Sequence, residues 1–199
     1  MSKRSGFFVA IEGIDGSGKT TQIPLVAAKL EEAGYQVHIT TEPSSGPLGS
    51  TLRKYLSNPH SHTAVDALLF AADRVEHYFD EILPQLESGK IVITDRYKLS
   101  SIVYQGLSGI SDAWLIQINS QVPDPDLTIL LDVPVEEAVE RLGSAERTHL
   151  EKFEKNNLLN KLVDRYKSIS VTQRISIDAS QSITKVTEAM TSAILTYMG

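Results

Sequence analysis

The chain has 199 residues, 41% of them hydrophobic and 22% charged, which suits one substantial core and is too little for two comfortable domains. A formal charge of -6, with no cluster of Lys or Arg beyond Lys3-Arg4, excludes the basic footprint of a nucleic-acid binder and points to a small partner rather than a polymer. No apolar stretch approaches ~18 residues and no leader precedes the short run Phe7 to Ile11, so neither membrane nor export is expected and the location is read as cytoplasmic, while the absence of cysteine removes disulfides, thiolate metal sites and Cys nucleophiles together.

Apolar runs at 7–12, 36–40, 90–95, 127–132 and 174–178 alternate with segments of helical periodicity, the signature of parallel βα units. The predicted fold is α/β, with three layers: a five-stranded parallel sheet flanked by helices on both faces. Gly34 and Gly89 fall where helices should end, and Pro47 and Pro134 where helices should begin. In such sheets ligands bind beyond the C-terminal strand ends. The candidates are therefore residues 13–20, Glu42-Pro43, Asp95-Arg96-Tyr97, the segment after Asp132, and Ala179-Ser180.

The first of these, Gly13-Ile14-Asp15-Gly16-Ser17-Gly18-Lys19-Thr20, fits the pattern G-x-x-x-x-G-K-[ST] between a strand and a helix, the context a phosphate-binding loop requires. Its glycines let backbone N–H groups turn inward at phosphate oxygens, and the following helix presents its positive end. Lys19 would reach the β- and γ-phosphates of a nucleoside triphosphate and the Thr20 hydroxyl would hold Mg²⁺, with Thr21 completing the loop. Two classes that share the loop are excluded. A GTPase needs N-K-x-D, and Asn160-Lys161-Leu162-Val163-Asp164 has its Asp one place late; a transporter ATPase needs L-S-G-G-Q, of which Leu107-Ser108-Gly109 is a fragment.

Between Thr63 and Leu83, helical spacing puts Val65, Leu68, Leu69, Ala72, Val75, Phe79 and Ile82 on one stripe. At ~100° per residue Phe70 falls about 180° away, on the polar face, with Arg74 one turn on. A ring there can stack on a planar base while the guanidinium donates to a carbonyl on its edge, or it can simply pack against a loop or a dimer partner.

Taken together and in order, the loop with Thr21-Gln22, Thr41-Glu42-Pro43, Asp95-Arg96-Tyr97, Tyr104-Gln105-Gly106, Asp124-Pro125-Asp126-Leu127-Thr128 to Asp132, and Ile177-Asp178-Ala179 resemble the thymidylate kinase family, over most of the chain. The resemblance implies a P-loop kinase domain with a short lid near 141–154. It also implies transfer of the γ-phosphoryl group of ATP to dTMP, with Mg²⁺, and a homodimer formed through helix faces. By the same resemblance Phe70 and Arg74 line the thymine pocket, Arg96 grips the acceptor phosphate with help from Arg53, and Asp95 stands near the metal. Asp15 accepts the sugar 3′-hydroxyl, Tyr104 stands where a ribose 2′-hydroxyl would point, Ser101 and Gln105 face the base edge, and Glu42 belongs to the acceptor loop. Asp178-Ala179-Ser180 resembles the loop that holds the purine through its backbone.

A phosphate acceptor is already largely a dianion at neutral pH and needs no base, so catalysis reduces to positioning and charge neutralisation by Lys19, Mg²⁺ and an arginine. Some relatives carry that arginine within the loop, where Gly16 stands here. The expected arginine is therefore Arg147, ahead of the lid-like Glu151-Lys152-Phe153-Glu154, with Arg141 as its alternate. Two departures from the family are visible: Thr41-Glu42-Pro43-Ser44-Ser45 replaces Arg-Glu-Pro-Gly-Gly, and the lid is poor in Arg. Two other functions fit parts of the pattern. A deoxynucleoside kinase would use Glu42 as the base for a 5′-hydroxyl, and a degenerate paralogue would bind ATP without useful turnover.

Overall fold

The computed structural model describes residues 5–57, 61–143 and 149–199, with side chains from 156 onward in the last segment. Five strands, β1 (Phe7–Glu12), β2 (Val37–Thr41), β3 (Ile91–Asp95), β4 (Leu127–Asp132) and β5 (Arg174–Asp178), form one sheet in the order β2-β3-β1-β4-β5. All pairs are parallel. The bounds expected for β1, β4 and β5 agree with those observed, whereas β2 starts and ends one residue later than expected and β3 starts one residue later.

The central strands are buried on both faces, as parallel strands between helices must be. Alternation along β1 splits the core. Val9 and Ile11 join Ile23, Val26 and Leu30 of α1 (Lys19–Glu32) and Val186, Met190 and Ile194 of α9 (Ile183–Met198) on one face, while α8 (His149–Ser168) brings Tyr166 to Glu12 on the opposite side of β1. On the other face Phe8 and Ala10 meet Tyr78, Ile82, Leu86, Tyr97 and Val122. The expected stops are in place: Gly34 and Gly89 have φ of 93° and 84° after α1 and α4 (Leu83–Glu87), a left-handed conformation that glycine adopts without a Cβ penalty. Pro47 opens α2 (Pro47–Leu56) and Pro134 caps α7 (Val135–Arg141).

The helix expected over 63–83 is interrupted. Helix α3 runs Thr63–His77, and a π-helical turn, Tyr78–Ile82, joins it to α4. Pro84 in the first turn of α4 has no N–H to give to the carbonyl one α-turn earlier, and the backbone widens just ahead of it. The apolar stripe of this segment is only partly its buried face: Ile82 is fully buried and Val75 packs against the core, but much of the rest is not. Val65, Leu68 and Phe79 are 38%, 50% and 51% exposed, while Ala67, Ala71, Asp73, Arg74 and His77 are buried. The inversion has a local cause: each buried polar side chain is matched by a partner. Asp73 accepts from the Ser44 backbone N–H (2.9 Å) and hydroxyl (2.5 Å), and Arg74 and His77 both meet Glu42. Helix α5 (Lys98–Leu107) and α6 (Asp112–Ile118) complete the wall that α3 packs against.

Candidate active site

All the loops singled out from strand ends lie at one edge of the sheet. The backbone N–H of Arg96 donates to Ile11 O, that of Glu42 to Asp95 O, and that of Ala179 to Asp132 O, tying the exits of neighbouring strands together. Two cavities open there. The larger, about 890 Å³, is lined by Asp15 to Gln22, by Arg141 and Leu142, by Leu158, Leu159 and Leu162 of α8, and by Ala179 to Ile183. The smaller, about 360 Å³, is lined by Glu42, Pro43, Leu56, Phe70, Arg74, Arg96, Tyr97, Ser100, Ser101 and Gln105. Asp15 and Tyr104 line both, so the cavities share a wall.

In the larger cavity, Gly13, Gly16 and Gly18 take φ of 147°, 82° and 100°, as an inward-turned loop requires. A Cβ at Gly16 would stand 2.3 Å from Ala138 O, so α7 packs directly on the loop. Lys19 Nζ folds back to Gly13 O and Ile14 O at 3.0 and 3.1 Å. Burial, helped by the Arg96 charge, lowers its pKa to about 8 against the pull of Asp95, Asp15 and Glu12. The Ser17 hydroxyl and Asp95 Oδ1 are buried with no hydrogen-bond partner, and burial raises the Asp95 carboxyl above its ordinary range. Thr20 lines this cavity and is exposed.

The smaller cavity is organised by two arginines. Arg96, at φ 70°, is a non-glycine residue in the left-handed region and holds a conformation that its contacts impose. Its guanidinium pairs with Asp15 (2.6 Å), donates to Ser100 Oγ, Tyr104 OH and Tyr166 OH, and lies 5.0 Å from the Tyr104 ring centroid. Arg74 is 1% exposed. It donates to Glu42 Oε2 from Nε (2.8 Å) and Nη2 (2.6 Å), to Tyr97 O and Ser101 Oγ from Nη2, and to Asn119 Oδ1 from Nη1. Gln105 Oε1 is buried without a partner in this cavity, an acceptor to which no protein donor is assigned.

The geometry is that of two nucleotide-sized pockets meeting at a phosphate loop, and sequence comparison agrees with it. The family model described as thymidylate kinase matches residues 11–190. A probable thymidylate kinase of Pyrobaculum calidifontis is 51% identical over 164 residues, 80% of each chain, and one of Pyrococcus abyssi is 47% identical over 156 residues, 75% of each. A thymidylate kinase of Desulfotalea psychrophila is 39% identical over 187 residues, 94% of this chain and 93% of its own. The chain belongs to the thymidylate kinase family. It is a nucleoside monophosphate kinase.

Within this thymidylate kinase fold, most of the residues expected at the site are brought together. Asp15, Glu42, Phe70, Arg74, Arg96, Ser101, Tyr104 and Gln105 all line the smaller cavity, and Asp15 to Thr21 line the larger. Gly13 and Ile14 lie beneath the loop, as carbonyl acceptors for Lys19 rather than as lining residues. Arg53 is turned toward its own loop, donating to Pro43 O (2.8 Å) and Ser44 O (2.7 Å). Arg147 lies outside the described residues, and so do the side chains of Glu151, Lys152, Phe153 and Glu154. Arg141 is placed: it donates to Ala179 O (2.8 Å), Gly16 O (3.4 Å) and Ser17 O (3.5 Å) and pairs with Glu137, bridging α7, the phosphate loop and the loop after β5.

Three residues of the thymidylate kinase site were not anticipated. Glu12, fully buried, accepts from the backbone N–H groups of Tyr97 and Ser100, from Ser100 Oγ (2.5 Å) and from Tyr166 OH (3.3 Å). Burial raises its carboxyl above the ordinary range. Tyr166, on α8, places its hydroxyl 2.9 Å from Ser100 Oγ and within reach of Arg96, so α8 also braces Arg96. Asn119 supplies a buried acceptor for Arg74 while its own amide donates to Leu115 O. The available signal was a carboxylate closing an otherwise apolar strand at Glu12, and a stripe Leu159, Leu162, Tyr166 at helical spacing.

Proposed function

We propose that the protein transfers the γ-phosphoryl group of Mg-ATP to dTMP, giving dTDP, with ATP in the larger cavity and dTMP in the smaller. The observation that carries this reading is the shared wall of Asp15 and Tyr104 beside Arg96. It lets two phosphate chains meet end to end, with a cation at the junction. Phe70 would stack on the base and Arg74 would donate to its carbonyl edge, with the unpartnered Gln105 Oε1 as an acceptor for a base N–H. Tyr104 would stand at the sugar and Asp15 at its 3′-hydroxyl. Arg96 would hold the acceptor phosphate, with Arg53 positioning the Pro43–Ser44 loop.

The acceptor phosphate is its own nucleophile, so the chain's residues act on charge and position. Lys19 swings from its two loop carbonyls to the β- and γ-oxygens, and the loop N–H groups hold the rest of the triphosphate. The oxygen donors fit Mg²⁺: the Thr20 hydroxyl lines the cavity and Asp95 Oδ1 has no protein partner, and phosphate oxygens and water would complete a hard-cation site. The ion would neutralise charge on the transferring group. Arg147 is proposed to close over the phosphates, while Arg141 stays bound to backbone carbonyls at the loop. Glu42 is poorly suited to act as a base for a hydroxyl, since Arg74 occupies one of its oxygens and His77 faces the other. We further propose a cytoplasmic homodimer through the exposed apolar stripe of α3; among the described residues no helix is long and apolar enough to cross a membrane.

The test is ADP release with Mg-ATP and, separately, dTMP, dUMP, dGMP, AMP and thymidine. Activity led by dTMP is the expected result. Thymidine as sole acceptor would transfer the role to Glu42, and ATP binding with no release in any well would favour a degenerate paralogue.

A further inference from the structure

Behind Arg74 a connected row of side chains runs outward from the acceptor cavity. Glu42 Oε2 is taken up by Arg74, and its other oxygen, Oε1, lies 3.3 Å from His77 Nδ1. On the far side of the ring, Nε2 is 2.7 Å from Thr40 Oγ1 and 3.6 Å from Glu81 Oε2. Glu81 Oε1 lies 2.9 Å from His38 Nε2 at the sheet edge. Arg74, Glu42 and His77 are 1%, 4% and 2% exposed. The row therefore crosses three elements: β2 supplies His38 and Thr40, α3 supplies Arg74 and His77, and the π turn supplies Glu81.

His77 does not line the acceptor cavity, yet Glu42 depends on it. A carboxylate this buried has no bulk water to satisfy a free oxygen, and a buried acceptor left unmet is costly enough to turn the group. If Glu42 turns, the two hydrogen bonds that aim the Arg74 guanidinium go with it. The backbone is also altered at this place: His77 is the last residue of α3, and the widened π turn begins at the next one. Such turns inside helices concentrate at functional sites. A carboxylate only accepts, so His77 Nδ1 carries the proton that faces Glu42 Oε1, while Nε2 meets the Thr40 hydroxyl.

We propose that His77 is a positioning residue for base recognition: its Nδ1–H fixes the Glu42 carboxylate, and Glu42 fixes Arg74 at the edge of the acceptor base. The inference rests on Arg74 as the residue that reads the base, and extends that role to a side chain with no access to the substrate.

Two near-isosteric variants separate this role from general packing. His77→Asn carries an amide N–H near the Nδ1 position and keeps a donor for Glu42. His77→Gln carries it near Nε2 and leaves Glu42 Oε1 unmet. We expect His77→Gln to raise KM for the acceptor nucleotide about tenfold. Its kcat and its KM for ATP should stay within about twofold of wild type, and His77→Asn should keep the acceptor KM near the wild-type value. Equal acceptor KM values for the two variants, or a KM for ATP that shifts in step with the acceptor KM, would overturn the proposal. Should His77→Gln fail to fold, Thr40→Val, which removes the hydroxyl holding Nε2, serves instead. An acceptor KM raised about threefold would support the row and an unchanged one would break it. The assays use whichever nucleotide the wild type turns over best. Indifference of the wild type to dTMP would thus sink the acceptor reading, while the Asn–Gln contrast still decides the role of His77.

Discussion

Lys19 is the cation proposed for the donor phosphates, and it sits where its charge is poorly secured. Burial lowers its pKa to about 8. The kcat/KM for Mg-ATP follows the free enzyme, in which the amine loses its proton above that value, so it should fall about tenfold per pH unit on the alkaline side. The bound triphosphate favours the charged amine, so kcat, which follows the complex, should hold to higher pH. Profiles of both constants at saturating dTMP check the separation; superimposable alkaline limbs would remove Lys19 as their cause. Arg147 carries a second prediction. With Arg141 committed to Ala179 O and the loop carbonyls and Arg96 on the acceptor side, no further arginine among the described residues lines the larger cavity. Arg147→Ala should lower kcat on the order of a thousandfold with little change in KM for dTMP. A near wild-type turnover number would hand the role elsewhere.

Helix α7 explains why a loop arginine is absent here. It packs so closely on the phosphate loop that a Cβ at Gly16 meets Ala138 O at 2.3 Å, and the φ of 82° disfavours any side chain there. Gly16→Arg, a swap toward relatives with a loop arginine, should therefore lose about 1–3 kcal/mol of stability from the backbone alone, with activity lowered rather than gained. Thermal melts and ADP release on the same preparation test both halves, and a stable, more active variant would refute the packing argument. The same elements mark what could be read in the sequence. Strands β1, β4 and β5, with their phosphate loop and strand-end residues, were legible because they are continuous local patterns. Edge strand β2 slipped by one residue, its apolar signal being weaker. Helix α3 was legible as a helix and illegible in its orientation. Periodicity finds an apolar stripe but cannot show that Asp73, Arg74 and His77 have partners 29 to 35 residues away that make the polar face the buried one. Glu12 and Tyr166 went unread for the same reason, being joined across 154 residues.

At the scale of the whole molecule, the exposed row Val65, Leu68 and Phe79 is the feature that a lone chain has least reason to keep. Leu68→Glu should convert a dimer to a monomer in sedimentation experiments, while a wild-type chain that already sediments as a monomer would rule out this face as the interface. One consequence follows from the inside-out build of α3. The helix whose outer side would meet a second copy is the helix whose inner side holds Phe70, Arg74 and His77, with no intervening layer. Association and base recognition, as proposed, would therefore share a single rod of about four turns. Diluting the enzyme below its dimer dissociation constant should loosen that rod and raise KM for dTMP while leaving KM for ATP in place, so the apparent acceptor affinity would report how crowded the protein is with copies of itself.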